Sequence, residues 1–137
     1  MKNAVRKNAV RKPLKFALAS AVVLTSLPAM AAAEFSLGYD VDRFPAKQLS
    51  LASCRAAIAK GATTLGYTTR VDQDQRTLTV HVSAPRADGR SLIAYCIGAA
   101  DQTVFVIQAF DYSGPGNPDV DRVKQRVGAE VRRAATR

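Results

Sequence analysis

Ser91–Phe110 reads SLIAYCIGAADQTVFVIQAF. Two runs, Ser91–Gly98 and Thr103–Phe110, carry apolar residues at successive rather than alternate positions. Each is strand-length, so each predicts a strand apolar on both faces, which places it centrally in a sheet. Ala99-Ala100-Asp101-Gln102 joins them. Upstream, Arg76–Ser83 (RTLTVHVS) alternates with a period of two. Leu78, Val80 and Val82 are expected to face in, and Thr77, Thr79 and His81 to face out. Tyr67–Val71 precedes it across a polar hairpin turn, Asp72-Gln73-Asp74-Gln75, and PRADG at Pro85–Gly89 makes another turn. Four strands in succession form a meander.

A further strand and two helices flank the meander. Phe35–Phe44 (FSLGYDVDRF) places Phe35, Leu37, Tyr39 and Val41 on one face, with Asp40 and Asp42 opposite and solvent-exposed; Pro45 ends it. Ser50 is the expected N-cap of a helix whose buried stripe is Leu51, Cys54, Ile58, Gly61 and Leu65, with Leu49 stapling against Cys54 and Gly66 as the stop. Gly61 costs about 1 kcal/mol against Ala inside a helix, which implies a close approach to the sheet. Asn117 caps the second helix with Pro118 at its first position, and Val120, Val123, Val127, Val131 and Ala134 form its apolar stripe. The order strand, helix, four-strand meander, helix predicts an α+β fold: a mainly antiparallel sheet of four or five strands with two helices packed on it. The first strand is expected to pair with a central one.

Residues 1–33 have a different character. Lys2, Arg6, Lys7, Arg11, Lys12 and Lys15 precede a 12-residue apolar run, Phe16–Leu27, and the small-residue stretch Ala29-Met30-Ala31-Ala32-Ala33. This is the order of a secretory signal peptide cleaved after Ala31 or Ala33, and the run falls short of the roughly 20 residues of a membrane span. Residues 34–137 then form one domain. The leader also corrects the charge. The whole chain carries +9, but residues 34–137 hold 14 basic and 11 acidic residues, a net of +3. That removes the argument for a nucleic-acid partner. Export by the general secretory route to the periplasm or beyond favours pairing of Cys54 and Cys96, the two cysteines.

Little else in the sequence carries chemistry. His81, the one histidine, has Thr77, Thr79 and Ser83 as neighbours on its expected exposed face and no zinc-ligand pattern around it. Asp72 and Asp74 start like a calcium loop, yet Thr77 stands where glycine is needed and Ser83 where Glu is needed. Asp119 and Asp121 suit the positive end of a helix dipole. No cofactor loop or metal set is legible. Arg122, Arg126, Arg133 and Arg137 fall within an arc of about 60° on the last helix, beside its apolar stripe. That arc, with Tyr112 in the loop DYSGPGN, is the candidate binding surface for an acidic protein or anionic envelope component.

FSLGYDVDRFPAKQLSLASC, with the first cysteine, and AYCIG, with the second, resemble small exported proteobacterial proteins of unknown function. The resemblance implies export and the cysteine pair. The reading is an exported, non-enzymatic protein that binds another envelope component. The alternative is a small hydrolytic or acid–base enzyme using His81 with Asp40, Asp42 or Asp101.

Overall fold

The computed structural model describes residues 34–74 and 76–137; the expected leader, residues 1–33, lies outside them. The elements in chain order are β1 (Ser36–Pro45), α1 (Leu51–Thr64), β2 (Arg70–Gln73), β3 (Leu78–Ser83), β4 (Arg90–Ala99), β5 (Gln102–Asp111) and α2 (Asp119–Ala135). The strands make one antiparallel sheet in the order β1-β5-β4-β3-β2. The apolar runs are its middle, as expected, and β1 pairs with β5 from Ser36↔Asp111 to Pro45↔Gln102. Both helices lie on one face.

Local signals explain the helix ends. The Ser50 side chain accepts from the Ser53 N–H at 3.1 Å. At the other end Gly66 takes φ +77°. Its N–H donates to the Thr63 carbonyl, and the Tyr67 N–H donates to that of Ala62, the paired bonds that satisfy a helix C-terminus. α2 begins with Pro118 already in helical dihedrals, and the Asn117 side-chain oxygen accepts from the Asp119 N–H at 3.0 Å.

A disulfide joins Cys54 of α1 to Cys96 of β4, with Cα atoms 6.1 Å apart. It sits in a core built on Ile58, Leu92, Phe105, Ile107, Val127 and Val131, all fully buried. Directly opposed residues of neighbouring antiparallel strands share a face. Cys96 faces α1, so its partners Thr79 and Phe105 do too, and Asp42, opposite Phe105, follows on β1.

That parity reverses two expectations. On β3, Thr79, His81 and Ser83 are buried beneath the helices, while Leu78, Val80 and Val82 are half-buried on the other side. On β1, Ser36 and Gly38 are buried and Asp40 and Asp42 half-buried on the helix side; Leu37, Tyr39 and Val41 point the other way. Tyr39 is 66 % exposed. Period two identified the two faces of each strand, but their assignment rested on polarity alone, and the cross-strand register with Cys96 overrides it.

Gly61 makes a close approach, but to α2 rather than to the sheet: a Cβ there would lie 3.0 Å from the Val127 Cα. Its missing side chain sets the distance between the two helices.

Two stability measurements check this account. The Cys54→Ala/Cys96→Ala double variant, which opens a link across a sequence separation of 42, is expected to lose about 4 kcal/mol of unfolding free energy in the chain-entropy account, read from urea midpoints. Gly61→Ala is expected to destabilise the fold by about 1–3 kcal/mol through overpacking against Val127, although helix propensity alone acts in the opposite direction.

Candidate functional site

The arginines singled out by helical spacing all lie exposed along α2 and just beyond it, but they are not equivalent. Arg122 pairs with Asp119 at 3.2 Å. Arg133 donates to Glu130 at 2.7 Å. Among the described residues, Arg126 and Arg137 have no carboxylate partner. Arg133 and Arg137 join Lys60 at the rim of a groove between α1 and α2 of about 310 Å³, whose apolar lining is Ala56, Ala57 and Ala134. Ser53 and Glu130 complete the lining. Glu130 is nearly buried, and Lys60 reaches it from α1 at 3.1 Å. The Lys60 ammonium, and Arg133 after it, hold the Glu130 carboxyl below the usual carboxylate range against the opposing effect of burial. Three cations surround one carboxylate, so the groove keeps an excess of positive charge. Its alanines leave room beside the cations for the body of a ligand carrying the negative charge.

Tyr112 lies elsewhere. Its ring stacks on Phe110 at 6.1 Å and sits 6.0 Å from Phe35. All three belong to the sheet face opposite the helices, because Phe110 opposes Leu37 there. The loop after Tyr112 is firmly held. Buried Asp111 accepts from the Ser113 N–H at 2.8 Å and from the Asn117 side-chain amide at 2.6 Å. Ser36 bridges the loop to β1, donating to the Gly114 carbonyl and accepting from the Asn117 N–H. Arg90 ties Asp111 to Asp119 at the start of α2.

The Asp-x-Asp pairs resolve into structural roles. Asp40 and Asp42, expected in solvent, meet Arg132, whose Nη1 donates to Asp42 at 2.5 Å and lies 3.7 Å from Asp40. The two carboxylates latch the edge strand β1 to the last turn of α2. Helical spacing did not single out Arg132, because its partners come from the far end of the chain. Asp74 accepts from the Thr77 hydroxyl and from the N–H groups of Arg76, Thr77 and Leu78. These bonds hold its carboxyl far below the usual carboxylate range, the Thr77 hydroxyl contributing most. Its oxygens close the β2–β3 hairpin. Among the described residues no cluster of three or more His, Cys, Asp and Glu side chains could hold a metal ion.

His81, expected on an exposed face, is fully buried. Its Nδ1 lies 3.4 Å from the Thr69 hydroxyl, and its Nε2 has no partner among the described residues. Two strands separate it from Asp40 and Asp42, and Asp101 occupies the β4–β5 turn. The structure therefore does not bring the histidine and these carboxylates together. Burial, and Arg55 to a smaller extent, push the His81 pKa below 6.5. The folded state thus prefers the neutral ring, and its contribution to stability is complete above the unfolded-state pKa and lost as pH falls. Between pH 7 and 5 the unfolding free energy is expected to drop, with a slope of at most about 1.4 kcal/mol per pH unit from this group. Urea melts of His81→Gln should show that slope flattened; an unchanged slope assigns it to other groups.

No curated protein matches the chain. One family model, described as a family of unknown function (DUF6180), matches residues 34–136, a span that contains every strand and both helices. With its disulfide-linked α+β architecture and its basic groove between α1 and α2, the chain belongs to this family of unknown function, DUF6180.

Proposed function

We propose that this is an exported, non-enzymatic protein of the periplasm or extracellular space that binds an anionic envelope component at its helical face. The groove between α1 and α2 carries the reading: Lys60, Arg133 and Arg137 border an alanine-lined depression, and Arg126 adds an exposed charge on α2 with no carboxylate partner among the described residues. Juxtaposed cationic and apolar surface suits a ligand with an anionic group on an apolar body. Export rests on the leader-like residues 1–33. The Cys54–Cys96 bridge is consistent with it, since disulfides persist in oxidising compartments. No described helix is long and apolar enough to cross a membrane.

Vesicle co-sedimentation tests the proposal. The protein is expected to bind phosphatidylglycerol vesicles in preference to phosphatidylcholine vesicles, and to release with added salt. Arg126→Glu/Arg137→Glu should weaken that binding by about 2 kcal/mol or more, roughly thirtyfold. Retention of the double variant at wild-type level would exclude this surface. Binding confined to an acidic protein of the envelope fraction would replace the lipid with a protein ligand.

A further inference from the structure

The face of the sheet opposite the helices has no covering element among the described residues. The cross-strand registers arrange it in rows. Val41, Val106, Tyr95 and Val80 lie side by side, ending at Asp72 on β2. The next row runs Tyr39, Gln108, Ile93, Val82 and ends at Arg70. Arg43, Val104, Ile97 and Leu78 form a third row, and Leu37, Phe110 and Ser91 a fourth. An antiparallel sheet with one solvated face ordinarily alternates apolar in and polar out. Here β1 and β3 do the reverse, presenting valine, leucine and tyrosine outward and serine, threonine, histidine and aspartate inward.

We propose that this face is the interface of a homodimer in which two sheets pack face to face about a two-fold axis. Its size fits. The four rows hold 17 positions, and at about 4.8 Å between strands and about 6.7 Å between rows they cover roughly 550 Å² per copy. Two copies therefore bury about 1,100 Å², which clears the roughly 1,000 Å² that a specific interface needs. The charge pattern is self-complementary. β3, β4 and β5 place no charged side chain on this face, so a second copy stacks on it without burying a charge. The charges lie on the edge strands: Arg43 on β1, and Arg70 and Asp72 on β2, the last two already paired at 2.8 Å. With the axis along the strands, aligned packing sets β1 of each copy over β2 of the other, and Arg43 comes within one row of Asp72 of the second copy. The β-branched residues then form the middle of a four-layer helix–sheet–sheet–helix body. The helical faces, with their arginines, remain outside, so this assembly is independent of the anionic-ligand reading.

Sedimentation velocity and native mass spectrometry on protein recovered after export of the full chain test the inference. The expected mass is two chains with nothing added. Val106→Glu, at the middle of the face and outside the core, should raise the dimer dissociation constant by roughly a hundredfold or more, with the Cys54–Cys96 bridge intact by non-reducing mass. Val106→Thr keeps the shape and suits a strand, so it provides a second test through a weaker effect in the same direction if the glutamate variant does not fold. A single chain at every concentration would overturn the proposal. So would a single chain with bound lipid, a single chain retaining residues 1–33, or a dimer indifferent to position 106.

Discussion

Bridging Cys54 to Cys96 joins α1 to the middle strand of the sheet, and its geometric consequence reaches every strand. A side chain on a strand has only two directions available, and directly paired residues share theirs. Once Cys96 faces α1, the registers carry that parity to Thr79 and His81 on β3, to Phe105 and Ile107 on β5, and through β5 to Asp40 and Asp42 on β1. The bridge also limits how far α1 can move from the sheet. The remaining contacts are adjustments to that constraint.

The helical layer shows these adjustments. α2 can lie beside α1 because Gly61 lets Val127 approach, and over β1 because Gly38 leaves space for the Val120 backbone, whose carbonyl oxygen would lie 3.1 Å from a Cβ at position 38. Where small residues bring elements together, ionic groups hold them. Lys60 and Glu130 tie α1 to α2, Arg132 ties α2 to β1, and Arg90 ties β4 and β5 to the start of α2. Pairing is required at Glu130 and Asp111 because both are nearly buried, and an unpaired buried carboxylate is costly. On β1 the inner face is taken up by Gly38 under Val120 and by the latch of Asp40 and Asp42 to Arg132, and on β3 the register with Cys96 sets Thr79, His81 and Ser83 inside. The apolar side chains of β1 and β3 consequently point outward.

Much of the architecture was legible in the sequence, for reasons that can be named. The doubly apolar runs around Ser91–Phe110 marked the central strands, since only strands with neighbours on both sides accommodate such a pattern. Ser50 and Gly66 marked the ends of α1 through local capping bonds that need no tertiary information. The cysteine pair followed from the expectation of export and from the placement of the two cysteines on a helix stripe and a central strand. The positions of Arg122, Arg126 and Arg133 on one helix followed from periodicity, with Arg137 just past its end rather than on it, but their pairing did not. Glu130 takes Lys60 from α1 as well as Arg133, and among the described residues this leaves Arg126 and Arg137 as the uncompensated members of the group.

The sequence alone determined the element types, their order, the α+β class and the identity of the cysteines, because these depend on local periodicity and on short-range capping. The tertiary structure decided which face of each strand is inside, the burial of His81, the latch between Arg132 and the paired aspartates, and the contact between Gly61 and Val127. Period two defines two faces and is indifferent to which one meets a helix. That choice is made by long-range register and by a covalent link between residues 42 positions apart.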